Sequence, residues 1–518
     1  MSSRKFNEYK GLDLPQLGRE VLEVWDRENT FGRSITEREG APAFIFYEGP
    51  PSANGLPGIH HVLSRTIKDT ICRYKTQQGY LVRRKAGWDT HGLPVELGVE
   101  KKLGITKEDI GHKISIEEYN RTCREAVMEF TGVWEELTRK MGYWVDMKHP
   151  YITYENKYIE TLWWMLKQLF DKGLLYKGYT IQPYSPAAGT GLSNHELNQP
   201  GCYRDVKDTT CTAQFEIIRD ERSEFLFDDA QGTLYFLAWT TTPWTLPSNT
   251  ALAVGDNIEY VRVKCLNPYT QQPQTVILAK ELLPAYFTPK MEGTYSIGER
   301  IYKGSELVGI RYRQLIDWVK PMGDAFRVIS GDYVTTVDGT GIVHIAPTFG
   351  ADDDRVGKQA GIVPMYVVDR AGKNQPMVDR RGRLFRIEDM DPDFVAKYVD
   401  AERYREWAGR FVKNAYDPSL GPDDPTLDID IAVMLKGEGK AFKIEKHTHS
   451  YPHCWRTDKP VLYYPLDSWF IRTTALRERL MELNDTIDWK PASTGTGRFG
   501  KWLEGLVDLS LIHISEPT

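Results

Sequence analysis

Near its start the chain places short apolar runs on either side of a helical pattern of apolar positions. Phe44 to Tyr47 form the first run and Tyr80 to Val82 form the second. Between them, apolar residues recur every three or four positions, which predicts a helix that stops near Gly79. A strand, a loop, a helix and a second strand in this order predict a parallel α/β sheet. The helical positions are Leu63, Ile67, Ile71 and Tyr74.

Later segments show two other patterns. Amphipathic spacing predicts helices at roughly 116 to 140 and 155 to 172. After about residue 190, strand-like runs alternate with turn residues, which is typical of a mostly β module. From about residue 445 the mixed pattern returns, so the β module is predicted to be an insertion in an α/β domain. The β-rich runs are "TLYFLAW", "IEYVRVK" and "TVILAK", and the later region holds the strand-like "VLYYPLDSWF" and a helical pattern from Ala475 to Leu483.

Composition adds limits to this picture. A length of 518 residues predicts two to four domains, because one hydrophobic core does not grow to that size. The net charge of -6 excludes a strong overall attraction to nucleic acid and leaves only local basic patches for it. The six cysteines are scattered without a C-x-x-C pair, which predicts reduced thiols. The first residues, MSSRKFNEYK, lack the apolar segment of a secretory signal, so we expect a cytoplasmic protein without a membrane partner.

The loop before the predicted helix, "GPPSANGLPG", is rich in proline and glycine, and His60 and His61 follow it closely. In parallel sheets, ligands bind beyond the carboxyl ends of strands, where a helix N-terminus offers free N–H groups to anions. Imidazole N–H groups at that point suit phosphate oxygens. The loop matches neither G-x-x-x-x-G-K-[ST] nor G-x-G-x-x-G. On these residues alone, a nucleotide site and a plain turn with exposed histidines both stay open.

Five motifs occur in the order and spacing found in isoleucyl-tRNA synthetases, and the chain resembles that family from about residue 5 to residue 508. The resemblance implies a class I synthetase that joins isoleucine to ATP, with Mg²⁺, and transfers it to tRNA(Ile) as a monomer. The implied fold class is α/β, with an incomplete Rossmann-like parallel-sheet catalytic domain interrupted by a mostly β editing domain. The motifs are "GPPSANGLPGIHH", "GWDTHGLPVE", "LAWTTTPWTLPSN", "GTGIVHIAP" and "HSYPHCWR".

The resemblance also implies an adenylation site. The family's His-x-Gly-His signature aligns with Gly58-Ile59-His60-His61, and only His61 matches a histidine directly. Gly58, His60 and His61 are therefore expected at the ATP phosphates, with the two histidines in the catalytic role. Three further residues match positions that hold isoleucine, Asp89 for its ammonium group and the other two for its side chain. They are Pro50, Asp89 and Trp469. Read without the family, Asp89 is a turn residue and Trp469 a core aromatic.

A second site follows from an energetic limit. Isoleucine differs from valine by one methylene group, which contributes only about 1 to 3 kcal/mol to the preference of a pocket for isoleucine. Isoleucyl-tRNA synthetase is itself the standard example of that limit. The resemblance therefore implies hydrolysis of Val-tRNA(Ile) in the inserted β module. Asp353 would bind the free ammonium group, His344 would shape the pocket, and hydroxyls and an amide would position the ester and a water. The implied residues are Thr240, Thr241, Thr242, Asn249, His344 and Asp353. Read without the family, the same segments are a strand-edge turn and a solvated acidic loop.

The resemblance divides the chain into five segments. They are an extension at 1–40, the first half of the catalytic domain at 41–190, the editing domain at 191–440, the start of the second catalytic half at 441–508 and an atypical tail at 509–518. The sequence holds no Lys-Met-Ser-Lys-Ser loop and no helical anticodon-binding domain. We therefore interpret it as truncated, with a tail that comes from a frameshift or a gene model. We expect the chain alone to form isoleucyl-adenylate poorly, and ATP–pyrophosphate exchange would measure the rate.

Two alternatives to a truncated ligase with editing stay open. A free-standing esterase would use Asp353 and the threonines to clear mischarged tRNA, and would have no need of the isoleucine pocket. A non-catalytic remnant would bind nucleotide or tRNA only. A zinc site could be assembled from His447, His449, His453 and Cys454, but the order of these ligands is unlike that of structural zinc motifs, so no metal is predicted.

Overall fold

The computed structural model describes residues 11–288, 293–421 and 424–511. These residues form two compact units. Unit 1 comprises the chain up to Tyr176 together with Ile471–Leu509, and unit 2 comprises Lys177–Phe470 with residues 510–511. Along the chain, unit 2 is therefore inserted into unit 1. Most of the predicted tail, 512–518, and the start of the predicted extension, 1–10, lie outside the described residues.

The helices of both units are given in chain order. They are α1 (Leu14–Glu28), α2 (Thr30–Thr36), α3 (Ile59–Gln77), α4 (Leu93–Leu103), α5 (Ile116–Val127), α6 (Thr131–Lys140), α7 (Asn156–Asp171), α8 (Asn194–Leu197), α9 (Leu283–Tyr286), α10 (Gly304–Leu307), α11 (Ala351–Ala360), α12 (Pro392–Tyr398), α13 (Ala401–Tyr404), α14 (Leu427–Gly437), α15 (Arg477–Asp485), α16 (Ser493–Thr496) and α17 (Arg498–Glu504). In the described part of the chain, every helix falls short of the length and apolar character that crossing a membrane requires.

The strands follow in the same order. They are β1 (Lys85–Trp88), β2 (Asp146–Ile152), β3 (Leu175–Ser185), β4 (Thr190–Gly191), β5 (Tyr203–Glu216), β6 (Thr233–Thr240), β7 (Ala251–Val254), β8 (Glu259–Leu266), β9 (Pro273–Ala279), β10 (Ser296–Lys303), β11 (Arg327–Ser330), β12 (Ile342–Ile345), β13 (Tyr366–Val368), β14 (Asn374–Pro376), β15 (Ala441–Pro452), β16 (Leu462–Ile471) and β17 (Leu509–Ser510).

Unit 1 contains a short parallel sheet. β1 and β2 pair in parallel, and parallel bridges join Ala43 to Leu81 and Ser52 to Asp89. Along the chain, α3 precedes β1, α4 to α6 lie between β1 and β2, and α7 follows β2, which is the alternation of an α/β fold. The α/β fold class is confirmed.

The predicted helix is confirmed as α3, but its apolar face points outward. The helix starts at Ile59, four residues before the first periodic position, and Gly79 follows it with φ +93. Its buried residues are Arg65, Cys72 and Thr76. The guanidinium of Arg65 donates to the Thr138 hydroxyl at 2.7 Å and lies 5.0 Å from the Trp134 ring. The apolar side chains that predict the helix are exposed, from 49% at Ile71 to 65% at Leu63, and Ile59 on the first turn is 82% exposed. The predicting positions are Leu63, Ile67, Ile71 and Tyr74.

Both predicted strands that flank α3 were misplaced. Between Phe44 and Tyr47 the chain is extended without belonging to a strand, and its alternate side chains Ile45 and Tyr47 are exposed. Only a short parallel ladder forms, in which the Phe44 N–H donates to the Leu81 carbonyl. The second strand begins at Lys85 instead of Tyr80. The prediction failed because an alternating exposed segment and a buried strand give the same apolar run.

Unit 2 is built around two mixed sheets, in which β6 pairs with β9 and β7 with β11 in parallel and the other neighbouring strands are antiparallel. A six-stranded sheet has the order β10-β8-β9-β6-β5-β15, and a three-stranded sheet has the order β11-β7-β12. The predicted β-rich runs are confirmed as β6, β8 and β9. The long partners β5 and β15 are antiparallel, with Thr210 opposite Glu445. Large side chains fill the core beneath the sheets, among them Phe215, Phe236 and Trp318.

The remaining predicted elements agree with the structure in part. "VLYYPLDSWF" becomes β16, and the helical pattern after it becomes a short turn followed by α15. The helix predicted at 155 to 172 is α7. The one predicted at 116 to 140 is two helices, α5 and α6, because the chain leaves helical geometry between Val127 and Thr131.

Candidate functional site

The threonine-rich segment of unit 2 forms a tight, buried turn. β6 ends at Thr240, and a short 3-10 helix runs from Pro243 to Ser248 with every residue buried. Proline at the first helical position suits this start, because it has no N–H to leave unpaired. The N–H of Thr242 donates to the Thr240 hydroxyl at 3.1 Å, and the two hydroxyls lie 3.3 Å apart. Thr241 lies between them and is partly exposed.

A hydrogen-bonded chain links this turn to the buried His344. The Thr245 hydroxyl donates to the Thr242 carbonyl at 2.8 Å and lies 2.9 Å from His344 Nε2. On the other side of the ring, the Asn249 amide nitrogen lies 3.4 Å from His344 Nδ1. The Tyr312 hydroxyl donates to Asn249 Oδ1 at 2.8 Å. The structure thus brings Thr240, Thr242, Asn249 and His344 into one polar group.

The hydrogen-bond donors around His344 fix which of its ring nitrogens carries the proton. Because the Thr245 hydroxyl already gives its proton to a carbonyl, it accepts from His344 Nε2–H. The Asn249 amide nitrogen only donates, so Nδ1 accepts. Burial lowers the pKa of His344 to about 4. The imidazole is therefore neutral at physiological pH, and both of its nitrogens are engaged within the protein.

Asp353 lies in the first turn of α11, near the end of β12. One carboxylate oxygen accepts from the Ala346 N–H at 2.9 Å, and the other accepts from the Tyr333 hydroxyl at 3.2 Å. Burial raises the pKa of Asp353 to about 6, and these two hydrogen bonds oppose the rise. Asp353 is a desolvated carboxylate that is still mostly ionised at neutral pH, which suits the binding of a cation. Ala346 lies two residues after His344, so the carboxylate joins the same end of β12.

Sequence reasoning missed two members of this group. Thr245 stands inside the recognised motif "WTTTPWT", and its spacing of three residues from Thr242 was the available signal. Tyr312 lies 63 residues from Asn249, and its neighbours form no motif. Only the folded structure brings that hydroxyl to the amide.

In unit 1, Gly58 precedes the first turn of α3 and both histidines lie within that turn. The Gly58 N–H donates to His61 Nδ1 at 2.9 Å. The His61 ring lies 3.8 Å from that of His60 and 4.8 Å from that of Trp134. Burial lowers the pKa of His61, with help from His60 and Arg65. Since Nδ1 accepts, the neutral ring carries its proton on Nε2, while His60 is exposed.

The three residues that are predicted to bind isoleucine fall in different units. In unit 1, the Asp89 N–H donates to the carbonyl of Pro51 at 3.0 Å, so the segment carrying Pro50 runs beside Asp89. Trp469 belongs to unit 2, where it lies on β16 and its carbonyl accepts from the Leu511 N–H at 2.8 Å. Its side chain is 38% exposed.

The histidine-rich segment of unit 2 covers the end of β15 and the residues that follow it. His447 and His449 lie on one face of that strand, and His449 Nε2 lies 3.3 Å from Asp208 Oδ2. His453 Nδ1 lies 3.0 Å from the Tyr451 carbonyl oxygen, and Cys454 is buried. Across the residues given above as described, no three His, Cys, Asp or Glu side chains form a group that could hold a metal ion.

The chain thus combines an α/β unit that has histidines at a helix N-terminus with an inserted β-rich unit that has a threonine-lined polar group. A family model described as "tRNA synthetases class I (I, L, M and V)" matches residues 20–512, and the chain belongs to this family.

Curated relatives narrow the comparison. The chain is 65% identical to an isoleucine–tRNA ligase of Bacteroides fragilis and 63% identical to one of Porphyromonas gingivalis, each over 98% of this chain. An isoleucine–tRNA ligase of Cytophaga hutchinsonii is 58% identical over the same share. The chain covers 45% of the first and 46% of the other two, so it spans about half the length of the relatives it matches.

Solved structures of leucyl enzymes also match. The editing domain of the cytosolic leucyl-tRNA synthetase of P. knowlesi is 14% identical, with a TM-score of 0.29 over 46% of this chain and 97% of its own. A ternary complex of an Agrobacterium radiobacter LeuRS with tRNA is 15% identical, with a TM-score of 0.28 over 84% of this chain and 49% of its own.

Proposed function

We propose that this chain is part of an isoleucine–tRNA ligase, which activates isoleucine with ATP and Mg²⁺ and transfers it to tRNA(Ile). Support comes from the motifs shared with that family and from relatives of that name at 58 to 65% identity. In this proposal unit 1 holds the ATP phosphates near α3 and the ammonium group of isoleucine at Asp89. Pro50 serves the branched side chain, and the role that the resemblance implies for Trp469 stays a prediction from the sequence.

We further propose that unit 2 hydrolyses Val-tRNA(Ile). The observation that carries this proposal is the hydrogen-bonded chain from Thr242 through Thr245, His344 and Asn249 to Tyr312. Because both nitrogens of His344 are engaged, the ring acts as a neutral wall and positions its neighbours, and it does not take a proton from water. The hydroxyls of Thr240 to Thr242 then hold the ester and the attacking water, and Asp353 binds the ammonium group of valine.

The direct test is hydrolysis of aminoacylated tRNA(Ile) by the purified chain. We expect deacylation of Val-tRNA(Ile) to exceed that of Ile-tRNA(Ile) by about tenfold or more, since a pocket sized for valine excludes the extra methylene group sterically. Equal rates on the two substrates, or no hydrolysis above that of buffer, would contradict the proposal. An esterase without a ligase site would hydrolyse Val-tRNA(Ile) but gain no thermal stability from ATP and isoleucine.

The geometry of α3 also predicts which histidine serves ATP. His61 Nδ1 is occupied by the Gly58 N–H, so its Nε2–H is the group left to donate to a phosphate. His61→Asn keeps an acceptor for Gly58 and removes that donor. We expect this variant to lose most of the thermal stabilisation by Mg·ATP, whereas His60→Ala, which changes the exposed ring, keeps at least half of it. The reverse order of the two variants in the same thermal-shift experiment would assign the phosphate contact to His60.

A further inference from the structure

A buried charged cluster lies against the threonine turn of unit 2. Asp428 on α14 is 1% exposed and Lys413 is 8% exposed. The Lys413 ammonium lies 3.6 Å from Asp428 Oδ2 and donates to Asp208 Oδ2 at 2.9 Å. No motif pointed to these residues, and the proposed hydrolysis does not use them as contacts to substrate. The burial of these charged side chains therefore needs an explanation other than contact with the substrate.

The contact that matters is made by the other oxygen of Asp428. Asp428 Oδ1 accepts from the Trp244 N–H at 2.9 Å, although the two residues lie 184 positions apart in the chain. Trp244 is the second residue of the 3-10 helix Pro243–Ser248. The first N–H groups of a helix have no partner within it and are normally capped by the side chain just before it.

That cap is missing in this turn. Thr242 is the residue just before the helix, yet its side chain accepts no capping hydrogen bond. Instead its hydroxyl lies 3.3 Å from the Thr240 hydroxyl and 3.4 Å from the Thr245 hydroxyl. Asp428 thus supplies from α14 the cap that Thr242 would otherwise supply, and the Thr242 hydroxyl stays with the polar group of the site.

Lys413 compensates for the energetic cost of burying the Asp428 carboxylate. A buried carboxylate needs compensation, and burial raises the pKa of Asp428 to about 6 while the Lys413 ammonium opposes that rise. Lys413 is held in turn by Asp208 and packs 4.8 Å from the Tyr451 ring. A buried ion pair is often no more stabilising than apolar residues of the same size, so the charges are not explained by stability alone.

We infer that Asp428, compensated by Lys413, is a positioning residue that caps the threonine turn and so leaves the Thr242 hydroxyl to the hydrolytic site. The inference rests on the proposed hydrolysis of Val-tRNA(Ile) for its functional half. The cap itself is a contact between backbone and side chain and is testable without activity.

Two double variants of the whole chain separate the cap from the charge. Lys413→Met with Asp428→Asn removes both charges and keeps an oxygen acceptor for the Trp244 N–H. Lys413→Met with Asp428→Leu removes both charges and the acceptor, with a side chain of similar shape. Asp430→Ala is the control on the same helix, because Asp430 pairs with Arg410 on a partly exposed face.

Amide hydrogen exchange at Trp244 tests the cap. We expect exchange about tenfold or more faster in the leucine variant than in the asparagine variant, as the loss of one buried hydrogen bond allows. Equal exchange in the two double variants would overturn the inference, whatever their activity. If the leucine variant does not fold, exchange at Trp244 is measured in Asp428→Asn alone. We expect it to stay within about threefold of the unchanged chain, because the acceptor is kept. Much faster exchange in that variant would contradict the inference.

Kinetics test the functional half. For Val-tRNA(Ile), we expect the leucine double variant to lose about tenfold or more in kcat relative to the asparagine double variant, with KM within about twofold, because the Thr242 hydroxyl is misplaced but the ammonium contact is intact. A loss confined to KM, or equal kcat values, would contradict positioning. If the unchanged chain hydrolyses no Val-tRNA(Ile), the proposed function fails, while the exchange result still judges the cap.

Discussion

Replacement of Asp353 by asparagine is expected to make unit 2 more stable near pH 7.5 and to remove most of the hydrolysis of Val-tRNA(Ile) that we propose for this unit. The carboxylate is buried among groups that do not carry positive charge, and its pKa is raised to about 6. Asparagine keeps an oxygen that can accept from the Ala346 N–H. Asparagine cannot supply the negative charge that the proposed site offers to the ammonium group of the ester.

The pH dependence of stability has a definite sign. The pKa of Asp353 is higher in the folded chain than the ordinary value of 3.8, so the folded state binds the proton more tightly. Ionisation therefore lowers stability as pH rises from about 4 through 6, and the full cost applies above pH 6. Because the side chain is still partly accessible, we expect the cost to be about 1 to 2 kcal/mol. Asp353→Asn should be more stable by that amount at pH 7.5 and equal near pH 4.

Activity should change in the opposite direction. Loss of a charge-assisted contact to the substrate is expected to lower kcat/KM for Val-tRNA(Ile) by about 100-fold. In the unchanged chain kcat/KM should fall below about pH 6 as Asp353 takes up a proton. His344, with a pKa of about 4, should not contribute to that fall.

Denaturant unfolding at both pH values and deacylation kinetics would measure these effects. The matched control is Asp352→Asn, which removes an exposed carboxylate on the same helix that pairs with Arg355. The control should change neither the stability at pH 7.5 nor the rate appreciably. An Asp353→Asn protein that is less stable at pH 7.5, or that hydrolyses Val-tRNA(Ile) at the original rate, would refute the role assigned to this carboxylate.

His344→Ala is expected to have the second large effect, because it cuts the hydrogen-bonded chain at its centre. The Asn249 amide and the Thr245 hydroxyl each lose a partner, and a cavity replaces the ring. Unpaired buried polar groups and lost packing together should cost about 2 to 4 kcal/mol of unfolding free energy. Deacylation of Val-tRNA(Ile) should fall by about 100-fold as the threonine hydroxyls lose their fixed positions.

His344→Gln provides the matched comparison. Its amide nitrogen can donate to Thr245 and its amide oxygen can accept from Asn249, which are the same directions as in the neutral ring. We expect this variant to recover at least half of the stability and more of the activity than the alanine variant. Equal losses in both variants would show that the chemistry of imidazole, and not the direction of its hydrogen bonds, is what the site needs.

The parts of this structure that the sequence predicts are those where neighbouring residues carry the signal. The helix α3 was found from its apolar spacing, and β6, β8 and β9 from short apolar runs between turns. The same spacing gave no information on which face of α3 would be buried, because periodicity is identical for a stripe that faces the core and one that faces solvent. Ile59 and Leu63 are exposed while Arg65 is buried between aromatic rings.

The candidate site was predictable where its residues stand in short segments that resemble the family, as the threonines, His344 and Asp353 do. Thr240, Thr241, Thr242 and Asn249 stand within one short segment, and their grouping follows from it. Tyr312 and Asp428 reach that segment from distant parts of the chain, and the hydrogen bonds they make depend on the packing of unit 2 as a whole. No local pattern encodes such a meeting.

The pairing of β5 with β15 sets the order of events during synthesis. Thr210 and Glu445, which face each other in that pair, lie 235 residues apart in the chain. At about 5 to 20 residues per second, a ribosome takes roughly ten to fifty seconds to make the intervening segment. Throughout that interval one edge of β5 has no partner, and an open edge is where strands of other chains add. The nascent chain therefore carries an open strand edge until β15 has been made.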